Sequence, residues 1–206
     1  VLLAIDSSTG TSVAVVDRDR GVLAERTTGD TMSHAEVVGS LLREVMQEAG
    51  VDASALSGVV CGMGPGPFTG LRIGIAAARV FALAAEKPLV PLVSHDAIAF
   101  DWYRSGNTGE LLVVTDARRR ELYWSAYSGV DEHGAPIRID GPGLAKPDEL
   151  GHSDFTRIDA TTVSAGSLGM LAELLYSTGG SFAADEALYL RSPDAKPSLG
   201  GKRVTA

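Results

Sequence analysis

The chain has 206 residues, with 18 basic and 26 acidic side chains and a formal net charge of −8. Apolar residues at 45% and charged residues at 21% are globular proportions that exclude general disorder, and the length suits one domain or two small lobes. The acidic balance argues against a stand-alone nucleic-acid binder, and a lone cysteine, Cys61, rules out an internal disulfide or a cysteine metal cage and fits a reducing cytoplasm.

Leu2–Asp6 is a short apolar run that predicts a buried strand. Residues 7–10 predict a turn, residues 11–16 a returning β-branched strand, and residues 22–26 a third strand. Ser33-His34-Ala35-Glu36 spells a capping box, with the serine hydroxyl on the N3 amide and the glutamate reaching back. Val38, Leu41, Leu42, Val45, Met46 and Ala49 follow at helical spacing, and Gly50 closes the helix. Residues 56–61 predict another buried strand. Residues 62–67, Gly-Met-Gly-Pro-Gly-Pro, must be a loop, since neither a helix nor a central strand tolerates that density of Gly and Pro. Residues 69–85 predict a long alanine-rich helix, residues 89–93 a strand and residues 94–102 a short helix.

Residues 103–110 are polar and glycine-bearing and mark a boundary between an N-terminal lobe, 1–102, and a C-terminal lobe, 103–206. Beyond it the opening pattern returns: Leu111–Asp116 is again an apolar strand ending in aspartate, followed by a turn, a strand at 122–127, a turn and a third strand at 137–139. A duplication about 110 residues long explains this most simply. Residues 170–176 predict a helix, 187–191 a final short strand, and 193–206 a mobile tail. The opening run is too short and lacks the basic flank of a signal peptide. Residues 75–85, interrupted by Arg79, fall far short of the ~20 residues that span a bilayer. A cytoplasmic, membrane-free protein is expected.

Several motifs carry two interpretations. The loop at 62–70 sits between strand and helix, where free amides can hold an anion. No Gly-Lys-Ser/Thr follows, and Pro65 and Pro67 remove two amides, so a structural turn competes with a phosphate cradle. Asp6 and Asp116 end equivalent strands, where they can hold a metal–phosphate complex or cap a turn. His34 and Glu36 share a helical turn, but a helical metal site takes a second ligand at i+4, where Val38 stands. His95, His133 and His152 show no ligand spacing. No Gly-x-Ser-x-Gly elbow exists and Cys61 has no adjacent base. Arg118-Arg119-Arg120 is a solvated turn or a small anion or RNA contact. In the second helix, Ile73, Ala76, Ala77, Val80 and Ala84 form one stripe, with Ile75, Ala78 and Ala82 off it. A helix apolar on most of its circumference is buried on two sides. One side is the parent sheet, and the other is a partner helix or the second lobe.

Five segments together resemble the bacterial TsaB (YeaZ) family: Leu3-Ala4-Ile5-Asp6-Ser7-Ser8-Thr9; Ser33-His34-Ala35-Glu36; Gly64-Pro65-Gly66-Pro67-Phe68-Thr69-Gly70-Leu71-Arg72-Ile73-Gly74; Asp116-Ala117-Arg118; and Tyr189-Leu190-Arg191-Ser192-Pro193-Asp194-Ala195. The third is the specific one, and the likeness runs from residue 1 to about 195. The resemblance implies an α/β fold of two related actin/Hsp70/sugar-kinase-like (RNase H-like) lobes, with mixed sheets flanked by helices. It implies a non-catalytic scaffold for TsaD, the metal-bearing transferase that makes N6-threonylcarbamoyladenosine at position 37 of ANN-decoding tRNAs, with the ATPase TsaE as a further partner. It implies a homodimer when the chain is alone, formed by two N-lobe helices whose surface also docks TsaD. The residues implied there are His34, Val38, Leu41, Leu42, Thr69, Gly70, Arg72, Ile73, Ala76, Ala77 and Val80. It further implies no catalytic residue, no metal site and no cofactor in the isolated chain. ATP or ADP is implied only at the interface shared with TsaD, and tRNA contact only through the complex.

The active relative carries His-x-Glu-x-His, and here the segment is His34-Ala35-Glu36-Val37-Val38. An alkyl group cannot coordinate a metal, which makes the chain a pseudoenzyme by this resemblance. The family generally has a longer stretch after Pro147-Asp148-Glu149-Leu150, where this chain continues at Gly151. The competing hypothesis is a stand-alone ATP- or metal-dependent enzyme using Asp6 and Asp116, or a glycoprotease-like peptidase of the same fold.

Overall fold

The computed structural model describes residues 1–29 and 34–191, and for residues 34–36 the backbone alone. The first sheet contains β1 (Leu2–Asp6), β2 (Thr11–Asp17), β3 (Gly21–Thr28), β4 (Gly58–Gly62) and β5 (Leu89–Leu92), in spatial order β3-β2-β1-β4-β5. The first three make an antiparallel meander. β4 and β5 then join in parallel after crossovers through α1 (His34–Ala49) and α2 (Phe68–Ala84).

β1 is the central strand, and all five of its residues are buried. The period-2 alternation divides its side chains. Leu3 and Ile5 join Val13, Val15, Val59 and Cys61 beneath α1 and α2, while Leu2 and Ala4 join Ala14, Val16 and Val60 on the other face. Burial on both faces explains why the run is apolar throughout rather than alternating. Each fully buried Leu, Ile or Val contributes roughly 1.5–3 kcal/mol.

The second sheet repeats the plan. β6 (Leu111–Asp116), β7 (Leu122–Val130) and β8 (Pro136–Ala145) form a meander, and β9 (Thr156–Asp159) pairs with β6 in parallel, as β4 does with β1. The duplication read from the sequence is thus a duplication of topology. Where the first copy inserts α1 between its third and fourth strands, the second has only the turns of residues 146–155. Leu150 and Phe155 from this loop cover the outer face of the sheet over Leu112, Val114 and Ala126.

α3 (Ser94–Arg104) and α4 (Ala165–Thr178) lie between the sheets. α4 packs on β1 and β2, α3 packs on β6, β7 and β8, and the two helices pack on each other. Their cluster joins Leu2, Val16 and Val60 of the first sheet to Leu111, Val113 and Tyr127 of the second.

Several expected boundaries move. α4 starts at Ala165 rather than 170, because the Ser164 hydroxyl accepts the Ser167 amide at 2.9 Å and caps it there. β8 runs ten residues rather than three. β9 was not expected. The strand expected at 187–191 does not form; this segment is a non-repetitive strap with one backbone bond to the first lobe, Leu188 N–H to the Met63 carbonyl at 2.8 Å. The capping box involves Ser33 and Glu36, and the expected tail is 193–206; Ser33, the Glu36 side chain and the tail lie outside the described residues. Among the described residues, no helix is long and apolar enough to cross a membrane.

Candidate functional site

The two strand-ending aspartates do the same local job. Asp6 Oδ1 accepts the Ser8 amide at 2.8 Å, and Asp116 Oδ1 accepts the Arg118 amide at 2.8 Å. Each is an Asx turn that opens a hairpin, so turn chemistry is realised in both halves. Their surroundings then diverge. Asp6 is 2% exposed, and it also accepts the Ser8 hydroxyl at 2.6 Å and the Ser94 hydroxyl at 2.5 Å. The Asp116 side chain is 65% exposed.

Ser94 ties this turn to the Gly-Pro loop, since its hydroxyl oxygen accepts the Gly64 amide at 3.0 Å. The loop lies directly on the β1–β2 turn. A Cβ at Gly66 would come within 2.8 Å of Ser8 Cα, and one at Gly62 would collide with Asp6 Oδ2. Gly74 on α2 has the same tightness against Ser7, whose hydroxyl donates to the Gly70 carbonyl at 2.8 Å. The smooth flank of α2 is therefore filled by the chain's own β1–β2 turn. On the far side the Tyr123 hydroxyl donates to the Gly66 carbonyl at 3.3 Å, which brings the second sheet onto the loop.

His95, which showed no motif in the sequence, forms the seam between lobes. It is fully buried, with Nδ1 2.9 Å from Ser125 Oγ and Nε2 2.9 Å from Thr115 Oγ1. Burial, with the Arg138 charge adding, pulls it down to about 3, so the ring is neutral at ordinary pH. Beside it the Tyr127 hydroxyl donates to Asp96 Oδ1 at 2.8 Å, and Arg138 lies 3.4 Å from the same oxygen. Burial holds the Asp96 carboxyl above the usual carboxylate range. Cys61 is buried, and that burial, with the Asp6 charge adding, pushes its thiol upward, which is unsuited to a nucleophile. Among the described residues no group of three His, Cys, Asp or Glu side chains is placed to share a metal ion.

The strap crosses between lobes. Ala183 N–H donates to the Pro91 carbonyl at 3.0 Å, and Arg191 donates to the Ala117 carbonyl at 2.8 Å and pairs with Glu121. Arg191 thereby grips a turn in which Arg118, Arg119 and Arg120 all have left-handed φ, of 63°, 54° and 61°. For L-residues that conformation costs roughly 1–2 kcal/mol each.

The helix pair is the other candidate surface. α2 seals Leu71, Gly74, Ile75, Ala78 and Ala82 against the sheet and α1. Ile75, Ala78 and Ala82, placed off the stripe by the sequence, are thus the inward face. Of the stripe, Ala76, Val80 and Ala84 are exposed and Ile73 and Ala77 are half-buried. Thr69 and Arg72 are also exposed, while Leu41 and Leu42 are half-buried. Val38 and Gly70 are already covered within the chain. The His34 side chain lies outside the described residues. Leu83 was not anticipated, yet at 81% it is the most exposed of the large apolar side chains described, with Val80 at 66%.

The family model described as "TsaD: tRNA N6-adenosine threonylcarbamoyltransferase" matches residues 11–150. The chain is 35% identical over 213 residues to an uncharacterised protein of Mycobacterium leprae, covering 96% of this chain and 56% of that protein, so it spans little more than half of that relative. It is 27% identical over 166 residues to the Escherichia coli tRNA threonylcarbamoyladenosine biosynthesis protein TsaB, covering 81% of this chain and 71% of that one. The solved structure of YeaZ from Pseudomonas aeruginosa superposes with a TM-score of 0.71 at 25% identity, over 86% of this chain and 92% of that one. The duplicated mixed sheets and the Gly-Pro loop packed on the first hairpin thus sit in a chain that belongs to the TsaB (YeaZ) family, within the group that the TsaD model describes.

Proposed function

We propose that this chain is a non-catalytic scaffold subunit of the cytoplasmic machinery that forms N6-threonylcarbamoyladenosine at position 37 of ANN-decoding tRNAs. In this reading it docks and supports the catalytic subunit TsaD, together with the ATPase TsaE. The observation that carries the reading is the two-sided use of α2. One face is sealed within the chain, while Val80 and Leu83, 66% and 81% exposed, present aliphatic groups to water one turn apart. Covering such side chains is worth roughly 1.5–3 kcal/mol each. The exposed surface of Thr69, Arg72, Ala76 and Val80, backed by half-buried Leu41, Leu42, Ile73 and Ala77, is the docking face. His34 opens α1, the helix that packs beside α2. Without its partner the chain pairs with a second copy through the same face. The names of its relatives support the tRNA-modification role.

Asp6 is engaged by Ser8 and Ser94 in its own turn, which supports a structural role for it rather than a catalytic one. A nucleotide, ATP or ADP, belongs in this reading only where chain and transferase meet.

Co-purification with TsaD tests the proposal. Leu83→Arg and Ala77→Arg are expected to abolish both capture of TsaD and self-association in sedimentation, with the far-UV circular dichroism of Leu83→Arg unchanged. A Leu83→Arg chain that pairs as tightly as wild type rejects the docking face. Turnover by the isolated chain with ATP and Mg²⁺ rejects the non-catalytic role.

A further inference from the structure

We infer that a hollow between the two lobes, at the end of the sheets remote from the Gly-Pro loop, binds a small organic anion with an apolar body and a single carboxylate head. The inference goes beyond the docking reading and does not rest on it. The hollow is built on α3 and α4, which cover the face of the first sheet opposite to α2.

Its position follows from the duplication. β2 runs back from the Asp6 end of β1, so the β2–β3 turn lies toward Leu2. β7 runs back from the Asp116 end of β6 in the same way, which carries the β7–β8 turn toward Leu111. These equivalent turns contribute Arg18 and His133 to one hollow, and α3 and α4, which meet between the sheets, supply much of the remaining wall. The cavity measures about 370 Å³, in the lower part of the roughly 300–1,000 Å³ range of small-molecule sites.

The wall divides by chemistry. Buried Phe100 and half-buried Met170 and Leu174 give it apolar surface. The Arg104 guanidinium lies 5.3 Å from the centre of the Phe100 ring, so the ring holds a cation beside that surface. Among the described residues no ion pair engages Arg18 or Arg104. Glu173 also lines the hollow; its side chain is 13% exposed and lies 4.0 Å from the Val1 amino group. His133 Nε2 lies 3.5 Å from Glu132 Oε1. Asp17, Asp19 and Glu132 belong to the same turns but lie outside the lining. Two guanidinium groups against one carboxylate leave a surplus that a single negative charge matches. A guanidinium fork meets a carboxylate through parallel N–H···O bonds, while an alkyl or aryl body is covered by Phe100, Met170 and Leu174.

Isothermal titration calorimetry with the full chain tests this, using octanoate, octyl phosphate, octanol and octyltrimethylammonium, which share one alkyl body. Octanoate is expected to bind saturably at one site per chain, and each of the other three about tenfold more weakly or less. Arg18→Gln and Arg104→Gln are each expected to weaken octanoate binding about tenfold. Met170→Trp, which fills the hollow, is expected to abolish it. The arginine variants change exposed side chains and guard against a folding artefact, with their far-UV circular dichroism expected to match wild type. Leu83→Arg, on the far side of the first sheet, is expected to bind octanoate as wild type does. No saturable binding of octanoate, equal binding of octanol or the ammonium, or octyl phosphate binding as tightly as octanoate overturns the inference. So do arginine variants that bind as wild type, and so does loss of binding in Leu83→Arg, since the ligand would then sit on α2. Octanoate binding and TsaD capture are read separately, so either proposal can fail while the other stands.

Discussion

Ser94 and Asp6 lie 88 residues apart, yet the Ser94 hydroxyl donates to Asp6 Oδ2 at 2.5 Å while its oxygen accepts the Gly64 amide. One serine at the start of α3 thus fixes both the first hairpin turn and the Gly-Pro loop. Replacing Asp6 by Ala leaves the Ser8 amide and two hydroxyls without their acceptor in a buried site. Asp6→Ala is expected to lower stability by about 3 kcal/mol and Asp6→Asn, which keeps an acceptor, by about 1 kcal/mol. Urea denaturation midpoints measure both, and equal stability of Asp6→Ala and wild type would remove the network from the account of the fold.

His95 makes stability depend on pH. Its folded value is about 3, against roughly 6.5 in an unfolded chain. Between those values the unfolded chain binds more protons, so stability rises with pH there and is fully present above the unfolded value. Asp96, raised by burial, acts with the opposite sign as pH falls. The difference between wild type and His95→Gln isolates the histidine. Wild type is expected to lose about 2 kcal/mol more than His95→Gln when pH is lowered from 7 to 5. Parallel pH–stability curves for the two proteins would contradict a neutral buried imidazole.

The two faces of α2 should respond differently to truncation. Ile75 is 4% exposed and Leu83 is 81% exposed. Ile75→Ala is expected to cost about 3 kcal/mol through the cavity it leaves. Leu83→Ala should stay within about 0.5 kcal/mol. Thermal denaturation at a fixed, low protein concentration separates them, and comparable losses would mean that the outward face is covered in the folded monomer.

The arginine turn stores backbone strain that glycine would not feel. With φ of 61° at Arg120, Arg120→Gly is expected to raise stability by about 0.5 kcal/mol, the left-handed penalty relieved less the extra entropy of an unfolded glycine. A lower urea midpoint for Arg120→Gly would show that the side chain, not the backbone, holds the turn.

Much of the first lobe was legible because its signals agree. β1 and β2 are short apolar or β-branched runs separated by a polar turn, and α1 was bounded correctly by its 3.6-residue period and Gly50. The inward face of α2 was not legible. A helix that is apolar nearly all round does not rank its faces by hydrophobicity, and the choice fell to where Gly70 and Gly74 admit Ser7. β9 was missed because Thr-Arg-Ile-Asp has a single apolar residue and pairs only with β6. The opposite error occurred at 187–191, where apolar residues suggest a strand but the backbone crosses between lobes. His95 and its partners Thr115 and Ser125 come from three separate elements, so no local pattern could announce them. The aspartates were legible as a pair, and only the structure divided a buried one from an exposed one.

The strap from Ala183 to Arg191 has a mechanical consequence. By clasping the Met63 loop at one end and the β6–β7 hairpin at the other, it works as a latch across the mouth of the two-lobed body. Any hinge-like parting of the lobes therefore has to break the Leu188–Met63 and Arg191–Ala117 bonds as well as open the α3–α4 core.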